Sequence, residues 1–354
     1  MKDLHTGPAP GRDGSAMKKT VAAYVMDRSA KWLRAGDLMK LDTLYYAFST
    51  VKEGKPGLYD LSDPALMAAV RKINPALKVI LSVGGWGAGG FSEAAMTADG
   101  RALFTHSLMA SIRAYDYDGV DMDWEYPCSD AGGIASHPDD KVNFTLLLAS
   151  LREALDAYGQ ERGRPLRLSA ALGAGASRVA DLECDQVGRL LDDVNLMTYD
   201  MRGGEWSPAG HHTNLYPQTG GEAGMCADKA VKQYAEAGIP VEKMVLGAAF
   251  YGRVWHNTPG INQNGESGST LRFTEIAQDC LPTEKRATGY TRYWDAQACA
   301  PYLYNGHDFI SYDDEESLAH KCRYVAEKGL AGIMFWEYGG DRTGRLMKAL
   351  TDAD

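Results

Sequence analysis

Asp118-Gly119-Val120-Asp121-Met122-Asp123-Trp124-Glu125-Tyr126-Pro127 is the stretch on which the reading of this 354-residue chain turns. An extended strand sends successive side chains to opposite faces, so Asp121, Asp123 and Glu125 share one face, spaced by about 6.5–7 Å per step. Val120, Met122 and Trp124 take the other. Packing that apolar face against helices turns three carboxylates inward, which is costly unless protons are shared or a cation is present. A solvated acidic edge strand would escape the cost, but a closed barrel has no edge. A divalent-metal site is a second alternative. Three carboxylates along one strand are poorly disposed to surround an ion, and no Asp/His set elsewhere obviously completes the shell. Acid catalysis is the remaining reading. Glu125, the last of the three, is the candidate general acid, kept protonated by its neighbours.

Outward from this stretch, short apolar runs bounded by turns recur at 21–27, 42–49, 78–85, 119–127, 167–175, 193–200, 244–253 and 329–338. Helical periodicity fills 64–73, 101–115, 142–158, 222–237 and 315–328. Asp314, and Asp139 or Asp140, suit N-caps, and Gly329 suits a helix end. Eight strands alternating with helices predict an α/β fold, a (β/α)8 TIM barrel in preference to a doubly wound sheet. Its active-site mouth is expected at the C-terminal ends of the strands, where Glu125 falls. One interval breaks the rhythm. From Arg253 to Asp314 the chain is too long for a bare loop, and 290–294 and 309–312 are strand-like. The expected organisation is a barrel over 17–253 and 309–354, with a small α+β insertion at 254–308 between strands seven and eight.

The formal net charge is −10 and the basic residues are dispersed, which argues against nucleic acid or an anionic membrane as partner. No apolar run approaches the roughly 18 residues that span a bilayer. The six cysteines form no C-x-x-C pair, so structural zinc has little support. Cys280 and Cys299 are near enough in sequence for a disulfide, and buried free thiols fit as well. Residues 1–16 carry no apolar core and read as an expression leader or disordered tail. Were Met17 the natural start, no signal peptide would precede the barrel and a cytoplasmic location would follow.

The acidic strand resembles the D-G-x-D-x-D-W-E-Y-P pattern of the family 18 glycoside hydrolases, specifically the bacterial chitinases. The resemblance runs from Val21 onward. It includes Ser82-Val83-Gly84-Gly85-Trp86, Met197-Thr198-Tyr199-Asp200, Phe250-Tyr251-Gly252-Arg253 and Met334-Phe335-Trp336-Glu337 on successive strands. Gly289–Trp294, Pro301–Asn305 and Phe309–Asp314 look like the insertion of those chitinases. The resemblance implies a secreted chitinase that cleaves β-1,4 links of N-acetylglucosamine polymers with retention. This family is a substrate-assisted exception among retaining glycosidases: the substrate acetamide, and not a second carboxylate, attacks the anomeric carbon. Glu125 would then be acid and later base, and Asp123 would charge-stabilise the oxazolinium intermediate. Asp121 would share a proton with Asp123, and Tyr199 would hydrogen-bond the acetamide. Tyr24, Phe48, Trp86, Tyr126, Met197, Asp200, Tyr251, Arg253 and Trp336 are the implied substrate-binding set. Trp336 would stack beneath the −1 sugar, whose C–H face is apolar. Chitin or chitooligosaccharides are the implied partners of a monomer, with no metal or organic cofactor.

Core packing is the alternative for Phe48, and Trp86 could merely cap the barrel from its loop. Trp124 is expected to be structural, because its parity turns it from the pocket. His211 and His212, with no metal-like partner set, are expected to be solvated or structural. Two departures stand out. Ala249 occupies a position where the family commonly has Pro, and the loop Met201–Trp206 is one residue longer than usual. An endo-β-N-acetylglucosaminidase acting on N-glycans shares the carboxylate logic. A chitinase-like lectin would typically have lost the acid.

Overall fold

The computed structural model describes residues 19–352 apart from 53–54, 57–63, 204–206, 221–223 and 284–285. The expected leader at 1–16, Trp206 and the start of the expected helix 222–237 lie outside the described residues.

Eight parallel strands close into a barrel: β1 (Thr20–Met26), β2 (Thr43–Ser49), β3 (Lys78–Gly84), β4 (Gly119–Asp123), β5 (Arg167–Gly173), β6 (Asp193–Met197), β7 (Met244–Ala249) and, last in the chain, Gly332–Trp336. That last strand pairs with both β1 and β7 and so closes the ring. The (β/α)8 architecture expected from the sequence is present. Each strand is covered on its outer face by helices, which is why these segments read as near-continuous apolar runs. Val120, Met122 and Trp124 face outward into the large core between strands and helices, as their parity requires. Trp124 stacks on Phe91 at 5.5 Å and meets Phe144 edge-on at 5.7 Å. The barrel interior is filled by a separate, smaller cluster that includes Tyr24, Tyr45, Ile80, Ala171, Val245 and Met334.

Most strands end sooner than their sequence pattern suggests, the fourth and seventh by the most. β4 stops at Asp123, so Glu125 stands two residues past the strand and not on it. The cause lies in the neighbouring β3, where Gly84 takes φ 118° and turns away. A Cβ there would sit 2.1 Å from the Asp123 carbonyl, so only glycine allows this approach. The Asp123 carbonyl then accepts the Gly85 N–H at 2.9 Å, the last link before the chains part.

The expected seventh strand, 244–253, divides between two sheets. β7 ends at Ala249, and β8 (Tyr251–His256) belongs to an antiparallel sheet with β9 (Glu266–Arg272), β10 (Thr291–Asp295), β11 (Ala300–Tyr304) and β12 (Phe309–Tyr312). Phe250 is the switch: its N–H still reaches the barrel at the Trp336 carbonyl (2.8 Å), whereas its carbonyl accepts from Phe273 N–H (3.0 Å). The closing barrel strand is β13 in this numbering. Tyr251 and Arg253 are therefore carried by the smaller sheet, above the barrel rim.

The seam between sheet and barrel is held by a buried ion pair. Lys321 Nζ lies 2.6 Å from Asp313 Oδ2, both side chains being at most 1% exposed. Asp313 also accepts from the Ala249 N–H (3.0 Å), the Thr213 hydroxyl (2.9 Å) and the Ser317 hydroxyl (2.7 Å). Next to it Asp314 caps helix Glu315–Lys328, accepting from the N–H groups of Glu316 and Ser317, and Gly329 ends that helix at φ 70°. Asp139 precedes helix Asp140–Arg162 without a side-chain capping bond. Asp140 instead turns inward and accepts from Ser92 Oγ–H (2.7 Å) and His137 N–H (2.7 Å). All six cysteines are free thiols, four of them buried, so Cys280 and Cys299 are not bridged.

Candidate active site

Asp121 accepts four side-chain hydrogen bonds in the barrel interior. Tyr24 Oη–H (2.9 Å) and Ser82 Oγ–H (2.8 Å) donate to one oxygen. Ser169 Oγ–H (2.7 Å) and Asn195 Nδ2–H (3.1 Å) donate to the other. The donors come from β1, β3, β5 and β6, and register explains two of them, since Asp121 lies level with Ser82 and Ser169. Burial still raises the Asp121 carboxyl above its ordinary value, with the four donors opposing.

Asp123 is the opposite case. It is 4% exposed and its Oδ1 has no hydrogen-bond partner among the described residues. Its carboxyl is pushed well up, first by burial and then by the charges of Glu125 and Asp121. Glu125 is pushed up to about 7, mainly by burial. A hydrogen bond with Tyr126 and the charge of Arg178 oppose that rise, and Asp200 adds to it. Arg178 sits over the Tyr126 ring, 4.2 Å from its centroid. A carboxyl that titrates near neutrality can hold a proton to give to a leaving group.

These groups open into a cavity of about 490 Å³. All of the residues expected at the site line it, apart from Asp121, which lies beneath, and Tyr251. Trp336 and Phe48 stack at 5.5 Å on one side. Trp86 is 66% exposed at the rim and meets Tyr126 at 6.4 Å, so it is not a buried plug. Tyr199 points inward with its hydroxyl 4.0 Å from Met334 Sδ. Gly247 makes room for it: a Cβ there would meet the Leu196 carbonyl oxygen at 2.5 Å and the Tyr199 ring at 2.9 Å. Tyr251 stands behind Tyr199, ring centroids 6.1 Å apart, and faces an adjoining hollow.

Asp200, at φ 51°, is locked from two sides. Arg253 Nε–H donates to Oδ1 at 2.7 Å, and His212 Nδ1 lies 3.6 Å from the same oxygen. Despite the cost of burial, His212 and Arg253 hold the Asp200 carboxyl well below the usual range. His211 and His212 are thus both buried, which removes the solvated reading. His211 bonds Asp295 at 3.2 Å. Ala171, Arg202 and Gly203 also line the cavity and were not anticipated. Ala171 and Gly203 bring no functional group, and Arg202 reaches the site only through the path of its loop.

A parallel barrel whose rim carries a proton-holding carboxyl inside a ring-lined cavity has the make-up of a glycoside-hydrolase catalytic domain. The chain belongs to the glycosyl hydrolases family 18, whose model matches residues 20–341. It is 39% identical over 300 residues to Chitinase A1 of Niallia circulans, a match covering 79% of this chain and 43% of that protein. It is 34% identical over 282 residues to Endochitinase 1 of Metarhizium robertsii, covering 78% and 64%. The chain thus spans less than two thirds of either relative. Among solved structures it is similar to a family 18 N-acetylglucosaminidase from Paenibacillus barengoltzii (TM-score 0.92, 47% identity, 95% of this chain and 100% of that one). It is also similar to a cell-surface-expressed multi-modular chitinase from a Paenibacillus species (TM-score 0.87, 34% identity, 95% and 32%).

Proposed function

We propose that this chain hydrolyses β-1,4 links between N-acetylglucosamine units of chitin or chitooligosaccharides, with retention, using the substrate's own acetamide as nucleophile. The observation that carries the reading is Asp123: a buried carboxyl with an unpartnered oxygen, beside a proton-holding Glu125 and the Tyr199 hydroxyl, over Trp336. In the first step the acetamide oxygen bonds to the anomeric carbon as the bond to the leaving oxygen breaks. Glu125 passes its proton to that oxygen. Asp123, whose raised carboxyl shares a proton with Asp121, leaves that proton with Asp121 and, then ionised, faces the acetamide nitrogen of the oxazolinium that forms. Tyr199 would donate to the acetamide oxygen, and Asp200 would hold the −1 sugar. Glu125 then takes a proton from the water that opens the intermediate. No metal or organic cofactor enters these steps. The reading includes a secreted monomer whose insertion is the antiparallel sheet running from Tyr251 to Tyr312, a few residues wider at each end than the expected 254–308.

A second reading, release of single N-acetylglucosamine units from chain ends, is favoured by the likeness over full length to the Paenibacillus N-acetylglucosaminidase. A time course on chitohexaose, resolving products by length and anomer, tests both. β-Anomers must appear first. Single sugars from the outset would support chain-end release, and mixed oligomers internal cleavage. Cleavage of a high-mannose glycopeptide alone would overturn both in favour of an endo-β-N-acetylglucosaminidase on N-glycans.

A further inference from the structure

A second hollow, about 520 Å³ in volume, adjoins the catalytic cavity and shares Trp336, Asp200 and Arg253 with it. It contains neither Glu125 nor Tyr126. If Trp336 floors the −1 sugar and Glu125 protonates the oxygen on its reducing side, this hollow lies on the non-reducing side. The inference therefore rests on the function proposed above.

Its lining is basic, in contrast to the acidic balance of the whole chain. The chain carries a net charge of −10, yet Arg28, Lys31, Arg253 and Arg272 line this one hollow. Among the described residues two carboxylates line the hollow with them, Asp200 and Glu337, and both are engaged. Asp200 is held by Arg253 at 2.7 Å. Glu337 accepts from Ser29 Oγ–H (3.0 Å) and Gly339 N–H (3.0 Å). Arg272 is paired outside the hollow with Glu275 at 2.5 Å. Arg28 and Lys31, both exposed, have no carboxylate partner among the described residues. The adjacent Asp27 accepts from the Tyr46 hydroxyl and lines a neighbouring hollow, to which Arg28 also contributes, but forms no ion pair with Arg28. Half-buried Trp32 supplies an apolar ring, with Lys31 Nζ and Arg342 Cζ each 5.1 Å from its centroid.

Two exposed cations without an ion-pair partner among the described residues, beside an aromatic ring, make a surface that attracts negative charge and repels positive charge. We propose that this hollow is a charge-selective sugar subsite: it accepts a sugar bearing an acidic substituent on the non-reducing side of the cleaved N-acetylglucosamine, and rejects protonated glucosamine there. The acidic group, carboxylate or sulfate, would lie between Arg28 and Lys31, with the sugar's C–H face toward Trp32.

The test uses 4-nitrophenyl disaccharides with N-acetylglucosamine at the cleaved position and a variable distal sugar. Four distal sugars are compared: N-acetylglucosamine, glucosamine, a C6-carboxylated and a C6-sulfated N-acetylglucosamine. Exposed charge pairs of this kind predict kcat/KM roughly 3- to 30-fold higher for the anionic sugars than for the neutral one, and lower for glucosamine by a similar factor. The spread should shrink at high ionic strength and in the Arg28→Gln/Lys31→Gln double variant, whose substituted side chains are exposed and leave the core intact. Preference for carboxylate or for sulfate would name the source of the charge. Equal rates for all four sugars, or an unchanged spread in the double variant, would overturn the subsite while leaving the proposed function standing. Failure to cleave any of the four would count against that function itself.

Discussion

Tyr24 on β1 and Asp121 on β4 meet across the barrel interior, hydroxyl to carboxylate at 2.9 Å, although their strands are not neighbours. The contact belongs to a four-donor shell that keeps a charge tolerable in the core. Tyr24→Phe removes one donor and should lower the unfolding free energy by about 1–3 kcal/mol. Denaturant unfolding of the two proteins checks this, and equal midpoints would mean that the remaining three donors suffice.

Glu125→Gln keeps the shape of the acid and removes its proton. Turnover of chitooligosaccharides should fall about 10²–10⁴-fold with oligosaccharide affinity retained. Asp123→Asn takes away the counter-charge of the intermediate and should cost about 10²–10³-fold in kcat. Steady-state kinetics with binding calorimetry separate the two effects. Wild-type turnover no higher than that of Glu125→Gln would leave a carbohydrate-binding protein without catalysis.

The pH profile follows from the same carboxyl. Glu125 acts as an acid only when protonated, and it titrates at about 7, so kcat/KM should fall as pH rises through that value. Tyr126→Phe removes a hydrogen bond that lowers this pKa and should move the alkaline limb to higher pH. Asp200→Asn removes a charge that raises it, so the limb should move down. Shifts in the reverse directions would remove Glu125 from the role of acid.

Lys321→Met leaves Asp313 charged and buried without its cation. It should destabilise the protein by about 3–5 kcal/mol, measurable by thermal or chemical unfolding. A loss below about 1 kcal/mol would show that the Ala249, Thr213 and Ser317 donors satisfy Asp313 alone.

Much of this was legible in the sequence because period-2 alternation fixes faces. Val120, Met122 and Trp124 pack outward, and Asp121 and Asp123 point inward, as their spacing demands. Strand ends were harder to read. The end of β4 is set by a turn at Gly84 on another strand, and Phe250 changes partners through hydrogen bonds to residues distant in sequence. The apolar run across 244–253 has no break at that switch. The short helices Ala176–Ala180 and Cys184–Leu190 hold too few turns to show a period. Four donors to one carboxylate, or a cavity wall made of Ala171 and Gly203, depend on where separate strands and loops converge. His211 and His212 found buried partners through such convergence, on loops that sequence polarity suggests are wet.

Gly247 has a consequence for anyone diversifying this pocket. Even an alanine there collides with the Leu196 carbonyl and the Tyr199 ring. In a randomised library, position 247 would act as a veto, discarding clones before their chemistry could be sampled. Variation survives more readily on the rim, at positions such as Trp86 and Arg28, where side chains face open water. The reach of the site along a sugar chain can then drift between descendants while the reacting centre stays fixed.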